Sequence, residues 1–139
     1  MYELTLSVTT NSSGNATAYT THVVGAVHSV SINKGTLPVT ADITVTAEDT
    51  GEVILGLTDI TTNSVDHPRA LAQDTAGANI AGEYEPVFVD GRIKVVVAQG
   101  GSSNTGTLYF TVEGAGESAA DASRTRTVTD PSFPGGGSV

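Results

Sequence analysis

The chain has 139 residues, with 15 acidic against 6 basic side chains and a formal net charge of -9, so its long-range field repels nucleic acid and anionic membranes and neither is expected as a partner. It contains no cysteine, which excludes disulfides, thiolate metal sites and cysteine nucleophiles together. Tryptophan is absent and aromatic residues make up only 5%, while Thr, Val, Ala and Gly are plentiful, a mixture that suits β-sheet with tight turns and suits long helices poorly.

In chain order, Tyr2, Leu4, Leu6 and Val8 alternate with Glu3, Thr5 and Ser7, the pattern of a half-buried antiparallel strand. The same opening, MYELTLSVTT, lacks the basic-then-apolar pattern of a secretion signal, and no stretch approaches the roughly 18 apolar residues needed to cross a bilayer. NSSGNAT (11–17) reads as a loop. Residues 18–33, with Val23, Val24, Val27, Val30 and Ile32 interrupted at Gly25, read as two strands or one bent strand. After the turn signal NKGTLP, Ile43, Val45 and Ala47 alternate, EDTG breaks the run, and Val53, Leu55 and Leu57 resume it, which predicts a hairpin. Residues 61–82, with Pro68 and little periodicity, read as a long connection or edge region. Two β-rich runs then flank Asp90-Gly91, a dipeptide that suits a type I′ turn and predicts a second hairpin. GGSSNTG (100–106) reads as a flexible hairpin tip, and Leu108, Phe110 and Val112 place one face of the last strand.

About eight short strands separated by turns predict an all-β fold, an antiparallel β-sandwich body over residues 1–114, with jelly-roll and immunoglobulin-like versions equally compatible. Residues 115–139 differ in character. They carry Pro131, Pro134 and a Gly triplet at 135–137 with few apolar anchors, so they have little means of folding alone. Ordering the last 19 residues costs on the order of 20 to 40 kcal/mol of backbone entropy, which points to an extended arm laid along a neighbouring protein. In that arm SRTRTVT has the alternation of an added strand, with Arg124, Arg126 and Val128 in one row. Pro131, Phe133 and Pro134 form an apolar peg beside it. These six residues are the expected partner contacts.

The residues that could carry chemistry give no assembled site. His22 and His28 share parity, about 20 Å apart on a continuous strand, and His67 lies in the irregular region as a solvated loop residue. No HExxH or EF-hand spacing occurs, and no G-x-S-x-G elbow. Glu48, Asp49 and Glu52 read as a turn of solvated charges rather than a calcium site. The glycines of AQGGSSNTG lack the following lysine or helix start of a phosphate cradle. Neither catalytic residues, nor a metal, nor a cofactor is expected. A glycan site would have to use Tyr2, Tyr19, Tyr84 or Tyr109, the last pointing outward by parity.

PRALAQDTAGANI (68–80), the run YEPVFVDGRIKVVVAQGGSSNTGTLYFTVEG (84–114) and the earlier HVVGAVHSVSI together resemble a group of small β-rich virion proteins of tailed bacteriophages, the most specific part being GRIKVVVAQGGSSNTGTLYFTV. The likeness covers most of residues 1–113 and implies a structural component of the particle, with no catalytic residues to carry over. The expectation is therefore a non-enzymatic capsid decoration or cement protein in the virion, assembled in the host cytoplasm. It would be a homo-oligomer bound to the major capsid protein or other virion proteins through its body and its arm. A tail, neck or fibre-base component is the nearest alternative, and a glycan- or receptor-binding module the alternative of another kind.

Overall fold

The computed structural model describes residues 1–116, with side chains through Gly114. The expected arm, with Arg124, Arg126, Val128, Pro131, Phe133 and Pro134, lies outside the described residues. Among those described there is no helix. Eight strands follow in order: β1 (Tyr2–Thr9), β2 (Ala16–Asn33), β3 (Asp42–Ala47), β4 (Val53–Leu57), β5 (Ser64–Asp66), β6 (Arg69–Gln73), β7 (Asn79–Ala98) and β8 (Thr105–Gly116). Every pairing is antiparallel, as the alternating patterns predict.

The main path through the sheet is β1-β8-β2-β7-β3-β4, with β5 attached to β2 and β6 to β7. Two long strands hold this path together. The first two thirds of β2 run beside β7, while its last ten residues run beside β8, the two pairings overlapping at Val24–Val27. A sheet buries one face only by covering it with something. Here the inner residues of β1 and β8 (Leu4, Val8, Leu108, Phe110) and those of β3, β4 and β7 (Ile43, Val45, Ile54, Val95) enter a single core. The curved sheet therefore closes over itself in the manner of a sandwich. Phe110 is the largest fully buried side chain, and Val and Ile fill most of the rest.

Bulges steer this closure. Thr20 and Thr21 together oppose Ile93 on β7, between the pairs Tyr19–Lys94 and His22–Arg92. There the Ile93 amide donates to Thr20 Oγ1 at 3.0 Å, so a side chain completes the ladder inside the bulge. A second bulge makes His28 the extra residue between Val27 and Ser29, and the buried row of β2 changes step there, from 23, 25 and 27 to 30 and 32. Gly25 carries a φ of 154°, and a Cβ on it would stand 2.6 Å from the Glu113 carbonyl oxygen. Strands β2 and β8 approach too closely at that point for any side chain.

Two expected turns are not where the sequence signals put them. Asp90-Gly91 lies inside β7, not at a hairpin tip. In a two-residue hairpin at that dipeptide, Arg92 and Lys94 would share a face with Val89 and Val87. One continuous strand instead puts Val87, Val89, Ile93, Val95 and Val97 on a single buried face, and burying five apolar side chains outweighs a turn preference. Nor do residues 99–104 form a hairpin tip, because β2 lies between β7 and β8. This segment instead runs beside the β1–β2 loop and is tied down by Thr10. The Thr10 hydroxyl donates to the Gly101 carbonyl at 2.6 Å and accepts from the Asn104 amide at 2.9 Å, and Gly100 N donates to the Gly14 carbonyl at 2.9 Å. Two further expectations hold: Asp42–Leu57 is a hairpin, and residues 18–33 belong to one continuous bent strand.

Candidate functional site

Residues 61–82, expected as a long connection or edge region, contain β5, β6 and the start of β7, with β5 and β6 attached off the main path of the sheet. Strand β6 pairs with Asn79–Pro86 of β7 as a two-stranded ribbon. Its turn is built by Asp74, whose carboxylate accepts from the amides of Ala76 at 2.9 Å and Ala78 at 3.0 Å, while the Asp74 amide donates to the Ala78 carbonyl. An Asp at a turn start with a Gly of positive φ three residues on, here Gly77 at 83°, is an ordinary closing device. Beyond the turn the register slips between Leu71 and Gln73, and Gly82, with φ 82°, takes up part of the slip.

The ribbon's base reaches the core through Ala70 and Val87, but residues 79–85 are exposed throughout. It displays Tyr84, 66% exposed, and Ile80, 41% exposed, and just past its base Phe88, paired with Ala26 of β2, is 62% exposed. Opposite Tyr84 stands half-buried Leu71. A shallow cleft bounded by Leu71, Gln73, Glu85, Pro86 and Phe88 separates the ribbon from Glu52. An isolated two-stranded ribbon is marginal in water, so this one presents both an apolar patch and unsupported backbone to whatever meets it.

The base of the ribbon is also where two histidines meet. His67 follows β5 and packs edge-on against the His28 ring, centroids 5.7 Å apart. His28 Nδ1 lies 3.4 Å from Glu113. Arg69, the first residue of β6, donates to the carbonyls of His28 at 3.1 Å and Pro68 at 2.8 Å. His67 was expected as a solvated loop residue; its neighbour lies 39 positions earlier in the chain, and no local pattern announces such a contact. His22 has another partner, Asp90 at 2.8 Å, so the two histidines of β2 do not converge. Among the described residues no group of three or more His, Asp or Glu side chains is placed to hold a metal ion.

Farther along β7, Arg92 donates from Nε at 2.7 Å and from Nη2 to the carboxylate of Glu48 in the β3–β4 turn. The guanidinium lies over the Tyr19 ring, 4.2 Å from its centroid. Arg92's hydrogen bonds hold the Glu48 carboxyl below its ordinary value, and Glu48 in turn raises the guanidinium's. Tyr19, one of the tyrosines weighed for stacking on a sugar, is thus already covered by a cation. Tyr109 borders a cleft of about 320 Å³ with Ser31, Asn33, Asn63, Ser64 and Val65, and Tyr84 is on the ribbon. Comparison with protein-family models, with curated proteins and with solved structures gives no match.

Proposed function

We propose that this chain is a non-enzymatic structural protein of a virus particle, of the decoration or cement kind, and that the β6–β7 ribbon is the part of the described body that docks on the shell. The observation that carries this reading is the ribbon with the residue at its base: Tyr84 and Ile80 on the ribbon and Phe88 next to it on β7 are held out from the buried core. Exposed aromatic side chains such as Tyr84 and Phe88 offer large contact area with few rotatable bonds, the usual chemistry of a docking anchor. The particle as the setting rests on the resemblance read from the sequence of residues 1–113 alone. The excess of acidic residues keeps free subunits apart before assembly. Many weak contacts repeated over a lattice then hold by avidity. Quantitative mass spectrometry of purified particles from the chain's source tests the reading. Hundreds of copies per particle are expected; a handful would favour a neck or tail component, and none would refute a virion role.

A second reading is favoured by the cleft beside Tyr109, since a tyrosine bordered by Asn and Ser side chains is a chemistry that sugars use. A glycan module would show saturable binding on a sugar array that Tyr109→Ala abolishes.

A further inference from the structure

We propose that the cleft between the β6–β7 ribbon and the β3–β4 turn receives an arginine side chain from the protein surface that the ribbon meets. The inference rests on the docking reading above and adds the chemistry of the partner. The cleft holds about 320 Å³ and combines two kinds of lining. Leu71, Pro86 and Phe88 supply apolar surface, beside Ala70 and Val87, which reach the core. Glu85 from the ribbon and Glu52 from the turn supply the charge.

Neither carboxylate is neutralised from within the described residues. The ion pairs there are His22–Asp90, His28–Glu113 and Arg92–Glu48, and the residue paired with Glu85 across the ribbon is Ala70. The basic side chains are engaged elsewhere or distant. Arg69 donates to two carbonyls, Lys34 donates to the Leu37 carbonyl at 2.7 Å, and Arg92 holds Glu48. Lys94 stands nine positions farther along β7 than Glu85, roughly 30 Å away in an extended strand. Glu83, two positions before Glu85 and also exposed, adds a further negative charge to the ribbon.

Docking turns this charge into a requirement on the partner. Glu85 and Phe88 border the same space, so a surface that buries the ring also strips water from the carboxylate. A carboxylate desolvated without a cation is strongly unfavourable, whereas one met by a hydrogen-bonded cation is compensated. A partner that docks here must therefore bring positive charge. Arginine fits better than lysine, because its planar guanidinium can lie on the exposed Phe88 ring while donating to a carboxylate, and its methylene stem covers Leu71 and Pro86. The apolar lining is unlike the oxygen shell that a hard metal ion takes.

A short peptide tests the site without any particle, so this inference and the virion reading can fail separately. The full-length isotope-labelled chain is titrated by NMR with acetyl-Gly-Leu-Arg-Leu-Gly-amide. A second titration uses the same peptide with citrulline, which keeps the shape of arginine and lacks its charge. With the arginine peptide, saturable amide shifts are expected at Leu71, Glu85 and Phe88, and they should weaken as salt rises. The Kd should be roughly 3- to 10-fold higher for the citrulline peptide, and for the arginine peptide in Glu85→Gln or Glu52→Gln. Both positions are exposed, so the urea midpoint should stay in place and a loss of binding reports the charge. Equal binding of the two peptides, or binding that both substitutions leave untouched, would overturn the arginine site. So would the absence of saturable shifts around the cleft.

Discussion

Replacing Phe88 by threonine separates a docking anchor from a core residue. The ring is 62% exposed, and a Phe side chain buries about 150 to 250 Å² when fully enclosed, so about 100 to 150 Å² remains for a partner to cover. At about 25 cal/mol per Å² that area corresponds to about 2 to 4 kcal/mol of docking free energy before ordering costs reduce it. Threonine keeps the β-branched preference of the strand, and the residue paired across from Phe88 on β2 is the small Ala26. The lone subunit should therefore keep its urea midpoint, with stability changed by no more than about 0.5 kcal/mol. Sedimentation with particle shells prepared without the protein should show the Kd rising about tenfold or more. A loss above about 2 kcal/mol in the free subunit would mean that the ring serves the fold. Undiminished shell binding would remove Phe88 from the interface.

Three further predictions concern the body. Phe110→Ala, at a fully buried site, should cost about 3 to 5 kcal/mol by urea unfolding. Gly25→Ala should destabilise more than Gly91→Ala, because the first places a methyl 2.6 Å from a backbone oxygen, whereas the obstacle at the second is the end of the Asp49 side chain; Asp49→Ala should recover part of the Gly91→Ala loss and none of the Gly25→Ala loss. In an NMR titration the Glu48 carboxyl should protonate below its ordinary value of 4.5 and return toward it in Arg92→Gln. With the folded-state value depressed, the pair's contribution to stability is present above 4.5 and is lost as the pH falls through the lower value.

Much of the fold was legible as alternation. Leu4 and Val8, Ile43 and Val45, and Leu108, Phe110 and Val112 are each buried as their period-2 rows predict. The same reasoning, carried through Asp90-Gly91, would have identified β7, because the row 87, 89, 93, 95 and 97 stays in step across the dipeptide and a hairpin would put Arg92 and Lys94 among valines. Asp90-Gly91 favours a turn locally, but register carries more buried area. The ribbon was illegible for a different reason. A strand solvated on both faces has no apolar row, so residues 79–85 have no periodicity to read; only the Asp74 and Gly77 turn chemistry marked them. The meeting of His28 with His67 depends on the pairing of β2 with β5, which no local signal contains.

Amide hydrogen exchange of the ribbon, free and on particles, tests the docking reading most directly. In the lone subunit residues 79–86 should exchange far faster than the core amides of Ile93 and Phe110, and on assembled particles they should become protected by tenfold or more. Equal, fast exchange of the ribbon in both states would contradict the account.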